Sequence, residues 1–136
     1  MARRGVTNPR THANAVPARA PRALLIQPPV YDVALYDLFH QPFGLLRVGE
    51  WLRASGYEVE VLDFLNPRAR TAAPGRGKFI RRVVPLPAPL RGAGRRFARY
   101  GIPAEEVRER MRVARPDAIL VTTGMTYWYP GVSEIG

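Results

Sequence analysis

Ala23-Leu24-Leu25-Ile26-Gln27-Pro28-Pro29 decides how this chain folds. A short uncharged apolar run stopped by two prolines reads as a strand buried on both faces, the kind that helices cover from either side of a parallel sheet. Downstream, Phe43 to Ser55 places Leu45, Val48, Leu52 and Trp51 on one helical face. Gly56 stands where a left-handed helix stop belongs. Tyr57-Glu58-Val59-Glu60-Val61-Leu62-Asp63 then alternates, with Val59 and Val61 on one side, as a second strand near a sheet edge does. Strand, helix and strand within about 40 residues make one right-handed βαβ unit.

The regular pattern resumes at Pro103, a good first helical residue. Glu105 and Glu106 suit the positive end of a helix, and Arg110, Arg112 and Arg115 suit its negative end. Pro116-Asp117 stops it, and Ala118-Ile119-Leu120-Val121 follows as a third buried strand. The expected fold class is therefore α/β: a partial flavodoxin-like (Rossmann-like) open parallel sheet, strand order 2-1-3, truncated after strand three. Helices are expected near 43–55 and 103–114. Residues 1–21 are Arg, Pro and Ala with little periodicity and read as a disordered tail; residues 22–136 read as the domain. Within it, 64–100 reads as a basic irregular insertion, parts of which dock through Phe79, Phe97 and Tyr100. An uncovered third strand predicts an aggregation-prone or loosely folded chain.

At 136 residues there is room for one small domain. No apolar run approaches the roughly 20 residues of a membrane span, and a cytoplasmic location is expected. The absence of cysteine rules out disulfides, thiolate zinc sites and cysteine-ligated iron–sulfur clusters within these residues. The net charge of +10 is unevenly placed. Residues 1–22 carry five Arg and no acid, and 64–100 carry nine Arg plus Lys78 and no acid, which leaves six basic and eleven acidic residues elsewhere. Twenty Arg against one Lys fits a GC-rich coding bias, so nucleic acid is not the expected partner. The alternative is a non-catalytic interaction module whose basic loop binds nucleic acid or an acidic partner.

Ligands of doubly wound sheets bind outside the carboxyl ends of the strands, where the winding reverses. In order 2-1-3 that brings together the loops Pro28–Pro42 and Gly124–Pro130. No G-x-G-x-x-G or P-loop motif follows the first strand. Gly75-Arg76-Gly77-Lys78 is glycine-rich and basic but lacks the preceding strand that a phosphate cradle needs. Asp32, Asp37 and His40 could bind a metal or move protons, although turn formation accounts for them more simply. Tyr127, Trp128 and Tyr129 suit either an apolar wall for a flat ligand or an interface with another domain.

These same blocks carry a resemblance. Leu24-Leu25-Ile26-Gln27-Pro28-Pro29, Pro42-Phe43-Gly44-Leu45-Leu46, Leu52-Arg53-Ala54-Ser55-Gly56-Tyr57-Glu58-Val59 and Leu62-Asp63 resemble the opening of the B12-binding-like domain that precedes many radical SAM domains. Leu120-Val121-Thr122-Thr123-Gly124-Met125-Thr126-Tyr127-Trp128-Tyr129-Pro130-Gly131 is similar to the third-strand loop of one branch of that group, as are Gly75–Phe79 and Arg95–Ile102. The resemblance implies a cobalamin-binding-type domain serving a radical SAM enzyme, with cofactor contacts at Pro28, Pro29, Tyr31, Thr122, Thr123, Gly124, Met125 and Thr126. It further implies a radical SAM domain packed on the Tyr127–Tyr129 loop. That missing C-terminal part would hold the [4Fe–4S] cluster and S-adenosylmethionine, since C-x-x-x-C-x-x-C cannot occur in a chain without cysteine. The D-x-H-x-x-G motif of many cobalamin proteins is also missing: Asp37 and His40 are spaced D-x-x-H, with Gly44 four further on.

Overall fold

The computed structural model describes residues 19–33, 39–65, 79–92 and 94–136. In chain order they form β1 (Arg22–Gln27), β2 (Val30–Asp32), α1 (Phe43–Ala54), β3 (Glu58–Asp63) and β4 (Arg81–Val83). A 3-10 turn at Ala88–Leu90 precedes β5 (Ala98–Tyr100), α2 (Ala104–Ala114) and β6 (Ala118–Val121). A second 3-10 turn at Thr126–Trp128 leads into α3 (Tyr129–Ile135). Asp37, Gly75–Lys78 and the tail up to residue 18 lie outside the described residues.

A three-stranded parallel sheet has β1 at its centre, with Leu25 opposite Val61 of β3 on one side and Leu120 of β6 on the other. Its order is β3-β1-β6 rather than 2-1-3 in chain numbering, because three short strands that the sequence pattern does not reveal intervene. Leu24, Leu25 and Ile26 are at most 1% exposed, and each contributes about 1.5–3 kcal/mol by burial. Leu25 faces α1 together with Ala23, Leu45 and Leu52, whereas Leu24 and Ile26 face α2 with Leu62, Phe64, Ile102 and Val107. Alternate residues of one uninterrupted apolar run thus serve two cores.

The buried face of α1 differs from the expected one. Leu45, Gly49 and Leu52 are buried, while Val48 and Trp51 are exposed. Gly49 explains the rotation: a Cβ there would stand 2.8 Å from Leu25 Cδ2, so the helix rests directly on the sheet at this point. Trp51 is too bulky for so close an approach and turns outward. At the end of α2, Arg115 takes the left-handed conformation (φ 43°) and redirects the chain into β6.

The second sheet is the larger departure. The sequence reads 64–100 as irregular and 30–42 as loop, yet β2, β5 and β4 pair antiparallel, in that order, with Tyr31 opposite Arg99 and Arg82 opposite Arg99 on the other side. Pro28-Pro29 is therefore a corner at which the chain leaves one sheet and enters another. Val30, Ala98 and Tyr100 pack with Leu65 beneath this small sheet, and Phe39, Phe79 and Trp128 close over them. At the far side of the parallel sheet β6 pairs with β1 and with no other described strand, leaving Ile119 and Val121 50% and 40% exposed.

Candidate functional site

The chain leaves β1 and β6 at the same edge of the parallel sheet, so their following segments decide what that edge can bind. Thr122 N–H still donates to the Ile26 carbonyl (3.1 Å), which extends the ladder by one residue. Thr123 Oγ1 then donates to the Met125 carbonyl (2.8 Å) and closes a tight turn. Gly124 lies under the Trp128 ring, where a Cβ would come within 2.8 Å of Cζ3. The indole turns back across the edge, and its Nε1–H donates to Asp32 Oδ2 (2.9 Å). Asp32 Oδ1 accepts from Val33 N–H (2.6 Å), so both carboxylate oxygens are engaged in local structure.

The two loops thus meet, but α3 is wedged into the corner they form. A Cβ on Gly131 would lie 1.8 Å from the Pro29 carbonyl oxygen, so the helix backbone is in direct contact with the turn after β1. Glu134, one turn on, receives Arg99 through Nη2 to Oε1 (2.7 Å) and Nε to Oε2 (2.8 Å). Tyr31 OH donates to the same Oε2 (2.7 Å). Burial alone would raise the Glu134 carboxyl, yet these hydrogen bonds and the Arg99 charge hold it below the usual carboxylate range. Burial pushes the Tyr31 phenol up, and its bond to Glu134 adds to the shift.

Of the sequence-derived contacts, Pro28 and Pro29 are buried, Tyr31 is tied to Glu134, and Thr122 is half-buried. Thr123, Gly124, Met125 and Thr126 are exposed, as are Tyr127 and Tyr129, whereas Trp128 is turned inward. His40 is exposed, and no cluster of metal-ligating side chains occurs among the described residues. A depression of about 190 Å³ lies at the opposite edge, where β1 and β3 begin, lined by Arg22, Leu24, Glu58, Glu60 and Pro116 among others. Its Arg22 and Glu58 already pair with each other (3.1 Å), and it is remote from the switch point.

Arg99 and Glu134 are the residues that the sequence pattern did not single out. The alternation in Val30-Tyr31-Asp32 and in Phe97-Ala98-Arg99-Tyr100 could have revealed two short strands, each with one polar side chain facing away from the apolar face. Nothing local ties Glu134 to Arg99, 35 residues earlier.

No family model, curated protein or solved structure matches this chain. Among the described residues, α3 and Trp128 fill the corner between the two loops, so the ground open to a large planar cofactor is the outer rim, Thr123 to Tyr127.

Proposed function

We propose that this chain is a non-catalytic binding domain of the flavodoxin-like kind, serving a radical SAM enzyme, with a corrinoid as its ligand. The observation that supports the reading is the switch point: β1 and β6 are parallel neighbours whose following loops are joined by the Trp128–Asp32 hydrogen bond. Sheets of this type present their ligands there. On this reading Thr123, Met125 and Tyr127 hold the corrinoid on the outer rim, with the polar turn at Thr123 and the apolar side chains beside it. Pro28, Pro29 and Tyr31 shape the rim from behind, since α3 covers them. The corrinoid would bring the cobalt chemistry, and the chain's own residues would orient it and shield one side from water.

Anaerobic titration with hydroxocobalamin tests this. Binding should appear as a shift of the corrinoid absorption and, in a Trp51→Phe background, quenching of Trp128, and Thr123→Ala and Met125→Ala should each weaken it several-fold. A protein that leaves the corrinoid spectrum unchanged, in the longest natural form of the polypeptide, would discard the cofactor.

A further inference from the structure

The arginines among the described residues fall into two populations. Outside residues 81–100 they are mostly engaged: Arg19 with Asp117, Arg22 with Glu58, Arg47 with Glu50, and Arg108, Arg110 and Arg112 with Glu105, Glu106 and Glu109. Arg53 donates to the Val59 carbonyl (3.1 Å). Arg81, Arg82, Arg91, Arg95 and Arg96 are all exposed, and none of their guanidinium groups has an ion-pair or hydrogen-bond partner among the described residues. All five belong to one antiparallel hairpin, β4–β5, pinned at its loop end by Val84 N–H donating to the Phe97 carbonyl (3.0 Å). The sequence holds no acid between Asp63 and Glu105.

Arg99, the sixth arginine of the hairpin, is the exception that makes the arrangement tolerable. It stands directly opposite Arg82 on the same face, and Glu134 neutralises it. The hairpin therefore carries five guanidinium groups that no described residue compensates, on a scaffold fixed by the aromatic core beneath it.

We propose that the β4–β5 hairpin is a contact surface for the phosphate backbone of double-stranded nucleic acid, read without regard to sequence. Planar guanidinium forks match phosphate oxygens two at a time. A duplex rather than a single strand is indicated, because the hairpin's aromatic residues Phe97 and Tyr100 are buried and offer no face for stacking bases. Val83 and Leu90 are its exposed large apolar side chains, too few to anchor it in lipid.

The test is fluorescence anisotropy of a labelled random-sequence duplex with the full chain across a series of salt concentrations. Log affinity should fall with log salt with a slope of about −0.9 for each phosphate engaged, hence steeper than about −3 if most of the five arginines take part. Arg81→Gln/Arg82→Gln and Arg95→Gln/Arg96→Gln should each make the slope shallower by about 2, whereas Arg→Lys at the same positions should largely keep it. An unchanged thermal transition in the variants guards against misfolding. Overturning results are no duplex binding at low salt, binding with the same slope after all four Gln substitutions, or retention on anionic phospholipid vesicles without retention on the duplex.

Discussion

Replacing Glu134 with Gln should unseat α3. The Arg99 and Glu134 side chains are 10% and 15% exposed, so they meet in a largely water-free setting. Breaking a buried pair by removing one partner costs about 3–5 kcal/mol, because the remaining charge is left uncompensated. Arg99 Nη1 keeps the Gly101 carbonyl (3.2 Å) and Gln keeps one acceptor, which places the loss near the lower figure. About 3 kcal/mol corresponds to more than a hundredfold change in the docked population. A seven-residue helix has no independent stability, so undocking also melts it. Because α3 packs on β2, the adjoining 3-10 turn and α2, the parallel sheet should survive. Trp128 reports the event: in a Trp51→Phe background its emission should shift to the red, and amide exchange over 129–135 should accelerate. Joint replacement by Arg99→Met and Glu134→Leu should restore much of the protection. The pH dependence follows from the lowered Glu134 carboxyl. Its stabilising contribution is complete above the ordinary glutamate value of about 4.3 and is lost as pH falls through the lower folded value. Acid should thus reproduce the red shift in the parent protein and add nothing in Glu134→Gln. Unchanged emission and exchange in Glu134→Gln at neutral pH would refute the claim that this pair seats the helix.

Gly101→Ala should lower the melting temperature by roughly 10 °C, since Gly101 has φ +125° and its Cβ would lie 2.6 Å from the Phe64 carbonyl oxygen. Gly44→Ala, near the start of α1 with open space around it, is the matched control and should not destabilise; equal effects at the two sites would contradict the steric account. Ile119→Lys should suppress self-association measured by light scattering without moving the thermal transition, because Ile119 is half-exposed on the open edge strand β6. Aggregation that persists at the parent level would place the sticky surface elsewhere.

The parallel sheet and its helices were legible because their signals are local. Leu24-Leu25-Ile26 has no polar face, Gly56 does adopt positive φ (90°), and α1 and α2 begin and end within one or two residues of the expected limits. The second sheet was not legible, because strands of three residues carry too little alternation to stand out and Val30-Tyr31-Asp32 sits behind a proline pair that reads as a loop. The rotation of α1 escaped for another reason: amphipathic pattern marks the apolar stripe, but how closely a helix approaches its sheet depends on where a side chain is missing, here Gly49 against Leu25. At the candidate site the meeting of the two loops followed from topology. The wedge of α3 between them did not, since Arg99, Tyr31 and Glu134 come from three distant segments.

The proline corner has a consequence for how the chain comes to be folded as it is synthesised. Residues 22–32 supply the central strand of one sheet and, past Pro28-Pro29, an edge strand of the other. Their partners are all made later: β3 first, then β5, and finally β6, just before which Asp117 meets Arg22 across a separation of 95 residues. This deeply buried segment is therefore synthesised well ahead of its partners and is fully enclosed only once β6 has been made. Synthesis at about 5–20 residues per second leaves Leu24, Leu25 and Ile26 waiting for several seconds with a vacant pairing edge. The parent chain should accordingly depend on cellular holding factors during translation.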